Sequence, residues 1–291
     1  MKFRSIVSVV VLLVIVVAVR PAPAQTREWT REEILSRTVN PSREQQLEPW
    51  PAHRIVGSVY YVGTRNLGSF LITTSDGHIL INTSYEETLP LLRQSVEDLG
   101  FRVEDIRIIL GSQAHPDHMT GNAMMKAWSG ADVMVMAEDI PLLRQTTGED
   151  TPIDRVLHDG NTVTLGEATL TARLTPGHTP GTTAWVFETE EDGRTYNVVV
   201  LGGGLAPRTI LAGNAQIQAE FERTFEVHRS LACDVPLGPH TPMYRMEEKF
   251  SRIGNGPNPF IDREVCLEEM WLMEQTYRYR LEEQLADRDN E

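Results

Sequence analysis

The chain has 291 residues, 41% of them hydrophobic, with 27 Lys and Arg against 41 Asp and Glu for a net charge of −14. So acidic a surface repels phosphate backbones and anionic headgroups, which excludes nucleic acid and a membrane face as expected partners. The charge alone does not choose a substrate.

Met1 to Arg4 is short and basic, Ile6 to Val19 is apolar, and small residues at Ala22 and Ala24 stand where a signal peptidase cuts. The apolar run is too short for a comfortable membrane span, so residues 1–24 are expected to be a bacterial secretory signal peptide, with a retained anchor as the alternative. The expected location is then the periplasm. Loss of Lys2, Arg4 and Arg20 leaves 24 basic against 41 acidic residues, net −17, in about 267 residues. That length holds one large domain or two fused halves, and no low-complexity linker divides it.

Gln25 to Ala52 is polar and broken by Pro41, Pro49 and Pro51, an N-terminal arm (25–52) with one helix-like piece at Trp29–Arg37. From Ile55 the texture becomes β: Val56–Val62, Ser69–Thr74 and His78–Asn82, with Asp76-Gly77 as a hairpin signal between the last two. Glu86–Leu99 has helical spacing at Leu89, Leu92, Val96 and Leu99 and is closed by Gly100. Asp105–Leu110 reads as a buried strand, Ala123–Trp128 as a helix with Met124, Met125 and Trp128 as core, and Ala131–Met136 as another strand. A second block follows: strands Thr162–Leu165, Thr169–Leu174, Thr183–Glu188 and Tyr196–Leu201, then a helix from about Glu220 to Leu231. Strands followed by helix, twice, predict two similar halves packed sheet against sheet, although no sequence repeat is present. After a Gly-Pro-Asn stretch (254–259), a helix from Asp262 to about Asp287 carries apolar Val265, Leu267, Met270, Leu272 and Met273, and its charged end is expected to fray. The two cysteines, Cys233 and Cys266, are a candidate disulfide in an oxidising compartment.

The chemistry concentrates in Gln113-Ala114-His115-Pro116-Asp117-His118, between a strand and a helix. In an extended loop, residues at i and i+2 point the same way, so Gln113, His115 and Asp117 are expected to converge while His118 points elsewhere toward a second ion. Imidazole and carboxylate without thiolate suit zinc or another borderline metal. Two further histidines sit in rigid turns after strands, His178 in Thr-Pro-Gly-His-Thr-Pro-Gly and His240 in Gly-Pro-His-Thr-Pro. His53, His78, His158 and His228 have no partner motif and read as structural.

These dispersed motifs, in this order, resemble the metallo-β-lactamase superfamily. Tyr60–Thr64, Gly77–Ile81, Leu99–Phe101 and Cys233–Val235 further resemble its class B β-lactamases of the third subclass, over roughly Ile55 to Phe250. The resemblance implies an α/β fold, the four-layer αββα sandwich, within a metallo-hydrolase domain of residues 53–291. It implies two Zn²⁺ per chain, one held by Gln113, His115 and His178 and the other by Asp117, His118 and His240. Gln113 stands where most of that subclass has His, and is similar to a minority variant whose amide oxygen serves as a weaker, neutral ligand. Gly202-Gly203-Gly204 replaces a Ser-containing stretch, so substrate-binding residues are left unassigned.

The implied reaction is zinc-dependent hydrolysis of the β-lactam amide of penicillins, cephalosporins and carbapenems, an antibiotic-resistance activity. Metal-bound hydroxide is its nucleophile, Asp117 its catalytic residue, a small molecule its partner and a monomer its form. The alternatives are the same site acting on a lactone, thioester or other ester, and a zinc- and ligand-binding protein without turnover.

Overall fold

The computed structural model describes residues 27–37 and 42–289; the expected signal peptide lies outside them. Two mixed sheets lie face to face with helices on both outer sides, the metallo-hydrolase sandwich expected from the sequence.

The arm forms α1 (Arg31–Ser36) and α2 (Arg43–Leu47), each begun by a capping box, Thr30 with Glu33 and Ser42 with Gln45. The first sheet then runs in chain order. It comprises β1 (His53–Val56), β2 (Val59–Tyr61), β3 (Phe70–Thr74), β4 (Gly77–Ile81), β5 (Ile106–Leu110), β6 (Asp132–Met136) and β7 (Arg155–Leu157). Pairing is antiparallel to β4 and parallel from there on. The parallel pairs are joined by crossovers containing α3 (Leu89–Asp98), the one-turn α4 (Pro116–Met119) with α5 (Asn122–Ser129), and α6 (Ile140–Thr147). The second sheet has the order β12-β11-β10-β9-β8, built from β8 (Thr162–Leu165), β9 (Ala168–Leu174), β10 (Thr183–Glu191), β11 (Arg194–Val200) and β12 (Val235–Leu237). Between β11 and β12 runs α7 (Ala215–Ser230), and α8 (Met246–Ser251) and α9 (Arg263–Asp289) close the chain.

The period-2 pleat sorts the core. Phe70, Ile72, Ile79 and Ile81 face Leu170, Ala172, Trp185 and Val200 between the sheets, while the alternate Leu71 and Leu80 pack outward with Leu89, Leu92 and Val96 of α3. Phe221 and Phe225 of α7 stack with Tyr277 of α9 outside the second sheet.

The structure differs from expectation in places with local causes. α7 begins at Ala215, earlier than expected, because the Asn214 side chain accepts from Ile217 N as its cap and Ile217 packs one turn before Phe221. α6 and the three-residue edge strand β7 were not anticipated; β7 is mostly exposed and has no alternation to read. α9 is helical to Asp289, with an Arg280–Glu283 pair along its surface, and the last two residues of the charged end expected to fray lie outside the described residues. Cys233 and Cys266 are bonded, tying the segment before β12 to the start of α9.

Candidate metal centre

The segments carrying the candidate donors leave the C-terminal ends of β5, β9 and β12, and the Gly202–Gly204 stretch leaves that of β11; these ends lie at one edge of the sandwich. Rigid strands thus deliver residues far apart in sequence to one place, a cleft of about 570 Å³ whose lining includes Gln113, His115, Asp117, His178, Gly203 and His240.

Gln113, His115 and His178 meet. The His115 Nδ1 lies 2.7 Å from Gln113 Oε1 and 3.0 Å from His178 Nε2. His178 Nδ1–H donates to the Gly204 carbonyl at 2.6 Å, which fixes the tautomer and leaves the Nε2 lone pair facing the other two donors. Gly203 makes this possible: a Cβ there would stand 3.0 Å from the His178 ring and 3.4 Å from Gln113 Nε2.

Asp117, His118 and His240 form a second, adjoining group whose donor atoms all lie within 4.8 Å of one another. Asp117 Oδ2 is 3.4 Å from His118 Nε2 and 3.7 Å from His240 Nε2. His240 Nδ1–H donates to Asn66 Oδ1 at 3.0 Å, again presenting Nε2 to the site. The convergence expected of Asp117 with Gln113 and His115 does not occur, and neither does the divergence of His118. Pro116, at the first helical position, ends the extended stretch at His115 and starts α4, so the i, i+2 rule stops there and Asp117 and His118 both turn to His240.

Burial strips these imidazoles of water and holds them neutral. It lowers the pKa of His178 to about 4, with His115 adding to the effect, and that of His240 to about 3, with His118 adding; His115 is also lowered and His118 falls well below the usual histidine range. Neutral imidazoles keep their lone pairs for a cation. The fit to a cation rests on orphaned atoms: His118 is wholly buried with no hydrogen-bond partner on either ring nitrogen. An unpaired buried polar atom costs on the order of 1–3 kcal/mol, a cost that a bound ion removes at a ring nitrogen. Imidazole nitrogen with carboxylate and amide oxygen suits a borderline divalent metal.

The sheets also lock the loop. Asn82, left-handed at φ 63° after β4, accepts from Ser112 N at 2.9 Å and donates to Gly68 O at 3.1 Å, and Thr183 N of β10 donates to Ser112 O at 2.8 Å. Neither Asn82 nor Asn66 was anticipated from sequence; Asn82 follows β4 and Asn66 lies in the β2–β3 loop, and an Asn in such places does not name a partner. Arg37 and Arg43 of the arm, with Gln46 and Tyr85, also line the cleft. Among the described residues His53, His78, His158 and His228 join no cluster of three metal-binding groups.

A sandwich whose strand ends carry two adjoining groups of neutral imidazole and oxygen donors defines a protein built around a metal centre. The family model of the metallo-β-lactamase superfamily matches residues 68–193. FEZ-1 metallo-β-lactamase of Legionella gormanii is 35% identical with a TM-score of 0.78, the match covering 81% of this chain and 97% of that one. BJP-1 of Bradyrhizobium japonicum, a subclass B3 metallo-β-lactamase, is 31% identical, TM-score 0.78, over 84% and 98% of the two chains. LRA-12, a class B3 di-zinc metallo-β-lactamase from an Alaskan soil metagenome, is 27% identical, TM-score 0.76, over 83% and 98%. The chain belongs to the metallo-β-lactamase superfamily. Two curated relatives match shorter stretches: hydroxyacylglutathione hydrolase of Rhodospirillum rubrum, 33% identical over 93 residues, and the human mitochondrial persulfide dioxygenase ETHE1, 24% over 117 residues. These matches cover 32% and 40% of this chain, and only 32% and 41% of the relatives' own lengths.

Proposed function

We propose that the chain is a zinc-dependent β-lactamase that opens the amide bond of penicillins, cephalosporins and carbapenems and thereby confers resistance. The observation that carries this is the pair of adjoining donor groups, Gln113/His115/His178 and Asp117/His118/His240, at the base of one cleft. Each would hold one Zn²⁺. Zinc supplies a water acidified to near neutral pH and a Lewis acid for the carbonyl oxygen and the departing nitrogen. Asp117 orients the attacking water and receives its proton; as the carbonyl carbon gains oxygen and the C–N bond breaks, that proton passes to the nitrogen. No Ser or Cys nucleophile is required.

The glycines at 202–204 offer no hydroxyl to the substrate, so its carboxylate needs another anchor. Arg43 fits: its guanidinium stacks 3.6 Å above the Tyr85 ring centroid at the cleft wall, and its present partner Glu87 is itself half exposed, a weak pair that a substrate can replace. Arg37 is committed to the buried Glu269 at 2.6 Å. Arg43→Ala is expected to raise KM for a carboxylated β-lactam roughly fivefold with kcat nearly unchanged; an unchanged KM removes Arg43 from the substrate site.

Periplasmic export by residues 1–24 accords with the Cys233–Cys266 disulfide, since such bonds persist in oxidising compartments. Among the described residues no helix is long and apolar enough to cross a membrane. The similarity to hydroxyacylglutathione hydrolase favours one second reading, a thioester hydrolase using the same site.

The deciding experiment is hydrolysis of a chromogenic cephalosporin and a carbapenem by the mature protein, with chelator and with zinc restored. Loss with chelator and recovery with zinc supports the β-lactamase. Zinc binding without turnover of either drug, together with cleavage of an acylglutathione, transfers the assignment to the thioester hydrolase.

A further inference from the structure

Asp139 follows β6 and stands at the N-cap of α6, where an Asp side chain ordinarily accepts from the first turn of its own helix. It makes no such bond. Its carboxylate, 2% exposed, turns the other way and accepts from three neutral donors: Ala114 N at 2.9 Å and Thr179 Oγ1 at 2.9 Å on Oδ2, and Gly181 N at 2.7 Å on Oδ1. Ala114 lies between Gln113 and His115, on the loop leaving the first sheet. Thr179 and Gly181 follow His178, on the turn of the second sheet. Thr179 is itself fixed, its N–H donating to Thr182 Oγ1 at 2.8 Å.

The approach is built in. A Cβ on Gly181 would fall 2.5–2.7 Å from the backbone nitrogen, Cβ and Cγ of Asp139, so only glycine at 181 lets the turn close on the carboxylate. Burying a carboxylate without a cationic partner is costly, and three hydrogen bonds to the charged form are the compensation. Desolvation still prevails, raising its pKa to about 6. A helix N-cap gains nothing from that arrangement; two loops from two different sheets gain a fixed separation.

We propose that Asp139 is a positioning residue that clamps the Gln113–His115 loop to the His178 turn, setting the spacing of the three donors of the first site. Asp117, His118 and His240 are joined through α4 and Asn66 and do not depend on it. The inference rests on the ligand assignment proposed above, and the test separates the two. Zinc is titrated against a chromophoric chelator in a His118→Ala background, which reports the first site, and in a His178→Ala background, which reports the second. If His178→Ala leaves both zinc stoichiometry and affinity at wild-type values, the ligand assignment fails first.

With that assignment standing, Asp139→Asn, which replaces an acceptor oxygen by an amide donor, is expected to weaken first-site zinc 10- to 100-fold and second-site zinc less than threefold. Equal weakening at both sites identifies a merely structural residue, and no change at either overturns the clamp. Should Asp139→Asn fail to fold, Thr179→Val removes one of the three bonds and is expected to weaken the first site alone by about threefold to tenfold; unchanged affinity there likewise overturns it.

Discussion

Gln113 and Asp117 stand two positions apart and enter different donor groups, so they are expected to fail differently. Gln113 brings a neutral amide oxygen into a buried group with two imidazoles, a weaker donor than the nitrogen of a third imidazole. Gln113→His is expected to tighten first-site zinc by roughly tenfold or more in a competition titration; unchanged affinity would argue that Gln113 is no ligand. Asp117 is the only carboxylate facing His118 and His240 among the described residues. Asp117→Ala is therefore expected to lower kcat by roughly three orders of magnitude or more and to release one zinc. Near-wild-type turnover would sink its role. Pro116 explains why these neighbours part company, since it switches the backbone from extended to helical between them.

At the scale of elements, the strand ends supply the donors and the loops between them supply the restraints. β12 leads directly to His240, and the Cys233–Cys266 bond ties the segment before it to α9 across 33 residues. Closing such a loop contributes on the order of 3–4 kcal/mol in the chain-entropy model. Replacing both cysteines by Ser is expected to lower the midpoint of thermal unfolding by roughly 6–12 °C; an unchanged midpoint would mean that α9 holds β12 without the bond. α9 also receives the arm, through Trp29 Nε1 donating to Glu268 at 2.7 Å and the Arg31–Glu282 pair at 3.0 Å. That docking sets Arg37 at the cleft beside Glu269, while Arg43 is placed by α2, which Thr64 Oγ1 and Tyr85 OH hold through hydrogen bonds to Gln46 at 2.7 and 3.0 Å.

Across the whole molecule, two histidines outside the site make folding pH-dependent. His53 is enclosed by Tyr61, Phe250 and Phe260, and His228 is buried in α7 with neither ring nitrogen hydrogen-bonded; burial lowers both pKa values to about 4. The unfolded chain takes up these protons near pH 6.5 and the folded one only near 4, so stability is lost as pH falls through that interval, on the order of 3 kcal/mol per group. Unfolding of the metal-free protein in urea at pH 7.5 and 5 is expected to show the loss, and His228→Gln to reduce it. An identical pH slope in that variant would assign the loss to other groups.

Sequence by itself determined what depends on neighbours along the chain. The hairpin turn at Asp76-Gly77 needs left-handed backbone, which Gly77 adopts at φ 125°, and the unbroken apolar runs Phe70–Ile72 and Ile79–Ile81 mark strands buried on both faces. The stretch from Gln113 to His118 and the turns bearing His178 and His240 were legible because metal chemistry restricts residue type and spacing. Only the tertiary structure decided that Asp139 serves two loops instead of its own helix and that arm residues wall the cleft; the grouping of the donors was implied by the family resemblance, against the i, i+2 reading of the loop. Those facts depend on where two sheets set segments 40 to 174 residues apart, as in Asp139 with Thr179 at a separation of 40 and His240 with Asn66 at 174, and no local pattern encodes such a distance.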